Sequence, residues 1–299
     1  MPNVASIVRV LVTMAAVAIA AVFFWYLWVT YQESPWTRDG RVRANVVNVA
    51  PDIAGPVIDV PIKDNQTLKI GDVLFTVDRA RYQLALAQAE AALAQAKSAA
   101  DERQDELERR QKLTSASISD EALSQARNTA LGAQAAYDQA VAAVGVAKLN
   151  LARTEVRSPV NGYVTNLLLD RGDYATVGHP MVAIVDSDSY YIAGYFEETK
   201  LRHIKLGDPV SIRLMGFDAA LQGHVQSVAR AITDRDNALA GDLIANVNPT
   251  FSWVRLAQRI PVRIAIDKVP DGITLSAGMT ATVVVTDPGD PRRVKAPAP

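Results

Sequence analysis

The sequence predicts an α+β chain of several domains with an elongated build. It comprises an N-terminal transmembrane helix, a small β domain split by an inserted antiparallel helical coiled-coil hairpin, and a C-terminal β-barrel. Three observations carry this: an apolar run near the N-terminus, a long seven-residue apolar repeat, and two β-rich segments of matching punctuation on either side of that repeat.

The apolar run spans 10–31. From Val10 to Val29 its only polar side chain is Thr13, enough helix for a ~30 Å hydrocarbon layer. Arg9 precedes it, and Phe23, Phe24, Trp25, Tyr26, Trp28 and Tyr31 crowd its far end, as at a membrane interface. Residues 1–9 are expected on the cytoplasmic side. A cleavable signal peptide ending near Ala18-Ile19-Ala20 is the alternative; on either reading the remainder is exported.

The repeat occupies 79–153. Leu86, Leu93, Ala100 and Leu107 recur every seventh residue before a polar break at Thr114 to Ser119. Leu123, Ala130, Tyr137, Val144 and Leu151 do so after it, with Ala126, Ala133, Ala140 and Ala147 alongside. Such spacing keeps one seam toward a partner helix, and Ala on most seam positions permits close approach while burying little area. Two arms of roughly 50 Å each follow at 1.5 Å per residue. This is a spacer or docking rod.

Segments 46–78 and 154–187 flank it. Gly55 matches Gly162, Val57 matches Val164 and Gly71 matches Gly178, all at one offset of 107. An interrupted repeat implies two similar β units packing together, with the glycines at tight turns that need φ > 0. Alternating patterns then run through 188–286 with Pro, Gly and Asp between them, as in an antiparallel barrel. Arg43 to Asn48 either adds a strand there or begins the split domain. The long polar loop Asp234 to Thr250 is a surface insertion or a channel lining, and 287–299 reads as a disordered tail.

Other chemistry is scarce. A net charge of −1 gives no reason to expect nucleic acid as a partner. Cys is absent, and His179, His203 and His224 stand at no metal-ligand spacing. No catalytic triad order or phosphate loop occurs, so neither an enzyme, a cofactor nor a metal is expected. The charge run Glu102, Arg103, Asp105, Glu106, Glu108, Arg109 and Arg110 reads as a solvated helix face or a lateral contact between protomers.

Gly71 to Asp78 and Ser158 to Val164 resemble the two halves of a biotinyl/lipoyl domain. A carrier domain takes its cofactor on a Lys between the halves. Asp78-Arg79-Ala80-Arg81-Tyr82 holds none, and Arg cannot form the amide, so a carrier role fails on chemistry. A lipoyl-like domain split by a helical hairpin behind one anchor resembles the hemolysin-D-type periplasmic adaptors, or membrane fusion proteins. Four stretches, at 34–40, 50–55, 197–201 and 253–264, resemble the adaptor subunit of p-hydroxybenzoic (aromatic carboxylic) acid efflux pumps. The second and fourth are shared more loosely with adaptors of major-facilitator multidrug transporters.

The resemblance implies an inner-membrane protein of a Gram-negative bacterium with its bulk in the periplasm. It implies a ring of six joining an inner-membrane transporter, of aromatic-acid-exporter or major-facilitator type, to an outer-membrane channel of TolC type. A scaffold without a transporter is the remaining alternative. In the family an Arg, a Leu four residues on and a Ser past the turn contact the channel. Arg109, Leu113 and Ser119 fit, although Leu-to-Ser spacing is six rather than seven and the Gly before the turn is missing, which keeps Ser117 as a substitute. Ser119 also suits a helix N-cap, followed by acidic Asp120 and Glu121.

Overall fold

The structure, a computed structural model, describes residues 4–28, 34–113, 119–232 and 257–286. Its elements in order are α1 (Val4–Trp28), β1 (Trp36–Arg43), β2 (Val46–Val49), β3 (Gly55–Asp59), β4 (Thr67–Leu68), β5 (Val73–Val77), α2 (Ala80–Gln111) and α3 (Asp120–Ala152). These are followed by β6 (Glu155–Arg157), β7 (Gly162–Thr165), β8 (Tyr174–Ala175), β9 (Val182–Asp186) and β10 (Tyr191–Glu197). After a 3₁₀ helix (Glu198–His203) come β11 (Pro209–Leu214), β12 (Ala220–Val228), β13 (Arg259–Lys268) and β14 (Thr280–Val285). The chain divides into two units, residues 46–188 and the remainder on both sides.

In the first unit the strands form two four-stranded sheets, β2-β9-β7-β4 and β6-β5-β3-β8. Each sheet takes two strands from before the hairpin and two from after it. Neither half can therefore complete a sheet alone. The core repeats the sequence offset: Val49 with Val156, Val57 with Val164, Ile62 with Leu169, Leu68 with Ala175, Phe75 with Val182, and Val77 with Ile184 are all buried in one cluster. The backbone does the same. Val57 N donates to Asp173 O (2.8 Å) and Val164 N to Gln66 O (3.0 Å), while Gly71 N donates to Ser158 O (2.9 Å) and Gly178 N to Pro51 O (3.1 Å).

The hairpin helices pair along the heptad stripe. Ala100 and Leu107 of α2 and Ala126, Ala130 and Val144 of α3 are buried. Leu86, Leu93, Leu123, Tyr137 and Leu151 are half-buried on the same stripe, whereas Leu84 and Leu131, off it, are largely exposed.

The second unit is a closed barrel in the order β1-β10-β13-β12-β11-β14. Alternation along β11 and β14 sends Val210, Ile212, Leu214, Ala281, Val283 and Val285 inward, where they meet Val42, Phe196, Leu221 and Ile264. The barrel's first strand is β1, so it extends beyond 188–286 to take in Trp36–Arg43, while β2 belongs to the split domain.

The N-terminal expectation needs correction. Among the described residues no helix is long and apolar enough to cross a membrane. The single-pass anchor expected over 10–31 is overturned, and with it the inner-membrane localisation. In α1 the described side chains, residues 9–25, are all exposed. Thr13 satisfies its hydroxyl within the helix, donating to Arg9 O (3.1 Å) and Val10 O (2.9 Å). Residues 1–3 and 29–31, the loop 234–250 and the tail 287–299 lie outside the described residues.

Candidate functional site

Three places gather side chains that chemistry can use: the hairpin tip, the hairpin base and one edge of the barrel.

At the tip, α2 ends with Arg109 and Arg110 in its last turn, where cations suit the negative end of the helix dipole. The two arginines face differently. Arg110 reaches Glu106 one turn back and crosses to Ala122 O at the start of α3 (3.3 Å). Glu106 also accepts from Arg103 (3.1 Å). These contacts hold the Glu106 carboxyl below the usual carboxylate range, the Arg103 hydrogen bond first and the Arg110 charge next. Part of the charge run is thus intramolecular wiring. Arg109 is exposed and has no partner among the described residues, and Leu113 follows at 53% exposure. Leu107 turns the other way, into a cluster with Leu123, Ala126 and Ala130. Ser119 caps α3, its Oγ accepting from Ala122 N (3.2 Å), with Asp120 and Glu121 in the first turn. Ser117 lies outside the described residues.

At the base, Arg79 belongs to the stretch 78–82 that by resemblance matches the Lys-bearing turn of a carrier domain. Its guanidinium is committed to Glu155 across the hairpin (2.6 Å). Tyr82, one turn into α2, donates its hydroxyl to Ala54 O (2.8 Å), and Arg153 pairs with Asp52 (3.3 Å). Both helices are thereby fixed to the split domain at their roots.

The turn glycines separate into two kinds. Gly71 and Gly178 adopt φ of +91° and +73°, where L side chains are strained. Gly55 and Gly162 instead open strands β3 and β7, and their φ lies outside the left-handed region. Space excludes a side chain there. A Cβ on Gly55 would meet Val77 Cγ1 at 2.8 Å, and one on Gly162 would meet Val185 O at 2.0 Å. The requirement for φ > 0 expected from the sequence thus holds for one pair and is replaced by close approach in the other.

At the barrel edge, three of the four singled-out stretches converge. Trp36, Thr37, Arg38 and Asp39 come from 34–40, Glu197 and Lys200 from 197–201, and Arg259 from 253–264; they line a recess of about 280 Å³. The Trp36 ring carries Lys200 Nζ at 5.2 Å and the Arg38 guanidinium at 5.4 Å from its centre. Arg259 pairs with Asp39 (2.7 Å), and the largely buried Lys200 with Glu197 (3.5 Å). Thr37 Oγ1 donates to Tyr195 O (2.7 Å) and accepts from Asp39 N (3.1 Å). These pairs neutralise one another and lock β1 onto β10 and β13. Sequence spacing gave no hint of this meeting, since the paired Asp39 and Arg259 lie 220 residues apart. Among the described residues no group of acidic or histidine side chains has the geometry to hold a metal ion.

Comparisons with known proteins agree with this architecture. Residues 80–152 match the family model described as the α-helical hairpin domain of the pHBA AAEA subunit. Residues 189–286 match that of the AAEA-like β-barrel domain. The uncharacterised protein YdhJ of Escherichia coli (strain K12) is 45% identical over 273 residues, covering 91% of this chain and 96% of that protein. Among solved structures, MacA from Actinobacillus actinomycetemcomitans superposes with a TM-score of 0.65 at 20% identity, covering 84% of this chain and 78% of its own. The membrane fusion protein Spr0693 from Streptococcus pneumoniae R6 gives 0.61 at 19%, covering 83% and 97%. At these identities the two structures speak for the fold alone.

Proposed function

Because the chain belongs to the hemolysin-D-type periplasmic adaptors, or membrane fusion proteins, in the branch carrying the AAEA-type hairpin and barrel, we propose that it is the adaptor of a tripartite efflux pump exporting aromatic carboxylic acids such as p-hydroxybenzoate. It works in the periplasm, between an inner-membrane exporter and an outer-membrane channel of TolC type. The observation that supports this reading is the pairing of the two family matches, the hairpin with a model described as that of the pHBA AAEA subunit and the barrel with one described as AAEA-like.

The division of labour follows from the parts. The split β domain, lipoyl-like in its pattern, holds the root of a rod whose arms are about 48 Å long at 1.5 Å per residue. One rod cannot enclose a conduit, so several copies, six by the family pattern, form the sealing ring. Arg109 and Leu113 have no partner among the described residues and are offered to the channel: a guanidinium has several donors for carbonyls or carboxylates, and an exposed Leu gains from being covered. Ser119 serves as cap, with its remaining lone pair available to the same partner.

The test is co-expression of the chain with a candidate aromatic-acid exporter, in a strain lacking its own aromatic-acid efflux. Restored tolerance to p-hydroxybenzoate, with the exporter and a channel recovered on purification of the adaptor, is the expected result. Recovery of a major-facilitator transporter and resistance to other compounds would reassign the substrate, and recovery of neither partner would defeat the adaptor reading.

A further inference from the structure

The outer face of the barrel carries a second recess, of about 270 Å³, beside the one already described. Alternation along β10 puts Tyr191, Ala193 and Tyr195 on one face. Ala193, the small one, is buried between them, in register with Arg41 on β1 and Arg263 on β13. Two guanidiniums stand around this floor. Arg263 lies over the Tyr191 ring, 3.7 Å from its centre, and its Nε donates to Gln226 Oε1 (2.8 Å). Arg43 donates through Nη2 to the Tyr195 hydroxyl (3.0 Å).

Both are held in place, and neither by an acid. Arg79, Arg110, Arg153, Arg157, Arg171 and Arg259 each meet a carboxylate. Arg43 and Arg263 are positioned only by neutral groups, a phenol ring, a phenol hydroxyl and an amide, and form no ion pair among the described residues. Each is anchored through part of its fork and keeps further N–H donors free. A fixed guanidinium with spare donors and no internal acid is preorganised for an external anion, because the ordering has been done before binding. The two tyrosine rings and the Ala193 methyl add apolar surface next to the charge.

We propose that this recess binds a small monocyclic aromatic carboxylate, the carboxylate bridging Arg43 and Arg263 and the ring lying in the space between Tyr191 and Tyr195. The adaptor would then take part in handling the exported acid as well as in joining its pump partners. The choice of probe rests on the function proposed above; the site itself rests on its geometry.

The experiment is calorimetric titration of the purified full chain with p-hydroxybenzoate, beside p-hydroxybenzamide, acetate and inorganic phosphate. Saturable binding of the aromatic acid is expected, with the amide, acetate and phosphate each at least tenfold weaker. Arg43→Gln and Arg263→Gln should each weaken binding tenfold or more, and Arg263→Lys should fail to restore it, since an ammonium does not stack on Tyr191 as a guanidinium plane does. Near-ultraviolet circular dichroism checks the barrel. Should either Gln variant disturb it, Tyr195→Phe removes only the hydroxyl that holds Arg43, and should weaken binding severalfold with the barrel intact. Absence of saturation, equal binding of the amide or of phosphate, or full affinity in the folded variants overturns the proposal. No exporter or channel is present in this titration. Failure to export in cells therefore counts against the pump assignment, and failure to bind here counts against the recess.

Discussion

Gly162 lies so close to Val185 that a Cβ on it would sit 2.0 Å from the Val185 carbonyl oxygen. At its counterpart, Gly55, the nearest obstacle is the end of a Val77 side chain at 2.8 Å. Backbone cannot step aside as a methyl can, so the two halves of the repeat tolerate substitution unequally.

Gly162→Ala is therefore expected to destabilise the split domain by on the order of 3 kcal/mol, through displaced backbone. Gly55→Ala should cost about 1 kcal/mol, and Gly71→Asn less, because Asn tolerates the left-handed region and nothing crowds that site. Chemical denaturation of the three variants gives the order; equal losses at positions 55 and 162 would refute the steric argument.

Arg109 and Leu107 are two residues apart on opposite faces of α2. Leu107→Asp puts a charge into the cluster with Leu123, Ala126 and Ala130 and should cost on the order of 3 kcal/mol, with loss of helix signal and export together. Arg109→Asp should cost about 0.5–1 kcal/mol, from the helix dipole, and abolish export while circular dichroism stays unchanged. Normal export by the Arg109 variant would move the docking surface elsewhere.

Ser119→Ala removes the oxygen that accepts from Ala122 N and should cost about 1 kcal/mol of hairpin stability. Ser119→Asp should recover it, since Asp caps equally well and its charge suits the N-terminus of α3. Export recovering along with stability would make Ser119 a cap alone; stability without export would leave its hydroxyl a role at the channel.

Glu106 titrates below the ordinary carboxylate range, held there first by Arg103 and then by Arg110. A depressed folded value stabilises above the unfolded value near ~4.3, and that stabilisation disappears as pH falls through the folded value. Acidification through the folded value should thus release Arg110 from Glu106 and lower amide protection factors at residues 106–113 and 119–123 before the rest of the hairpin. Glu106→Gln should flatten this dependence; an unchanged pH profile in that variant would show the ion pairs to be irrelevant to the tip.

Much of this was readable from residue spacing. Heptad positions such as Leu107 and Val144 advertise their burial because a seam needs one residue type every seventh place. The offset of 107 shows because paired turns and core positions face the same sterics. β1 was harder to read: its register shifts between Thr37 and Gly40, which breaks the alternation that marks a strand. Gly162 looked like a turn because composition does not distinguish a positive φ from an approaching carbonyl. Arg43 and Arg263 gave no signal, since an unpaired guanidinium is defined by which acids are absent around it in space. The apolar run at 10–31 was legible as composition, but among the described residues no helix is long and apolar enough to cross a membrane.

The interleaved sheets bear on the order in which the molecule can assemble. β2 and β3 pair with β9 and β8, and β1 pairs with β14, the last of the described strands. The closures are nested like brackets, with hairpin inside sandwich inside barrel. Each outer closure spans a longer stretch and so loses more chain entropy, unless the inner one has already drawn its ends together. Pairing of α2 with α3 brings residues 79 and 153 side by side and converts a 75-residue loop into a short one. A chain emerging N-terminus first thus keeps one edge of β1 open until β14 arrives, and weakening the hairpin should slow the maturation of strands that never touch it.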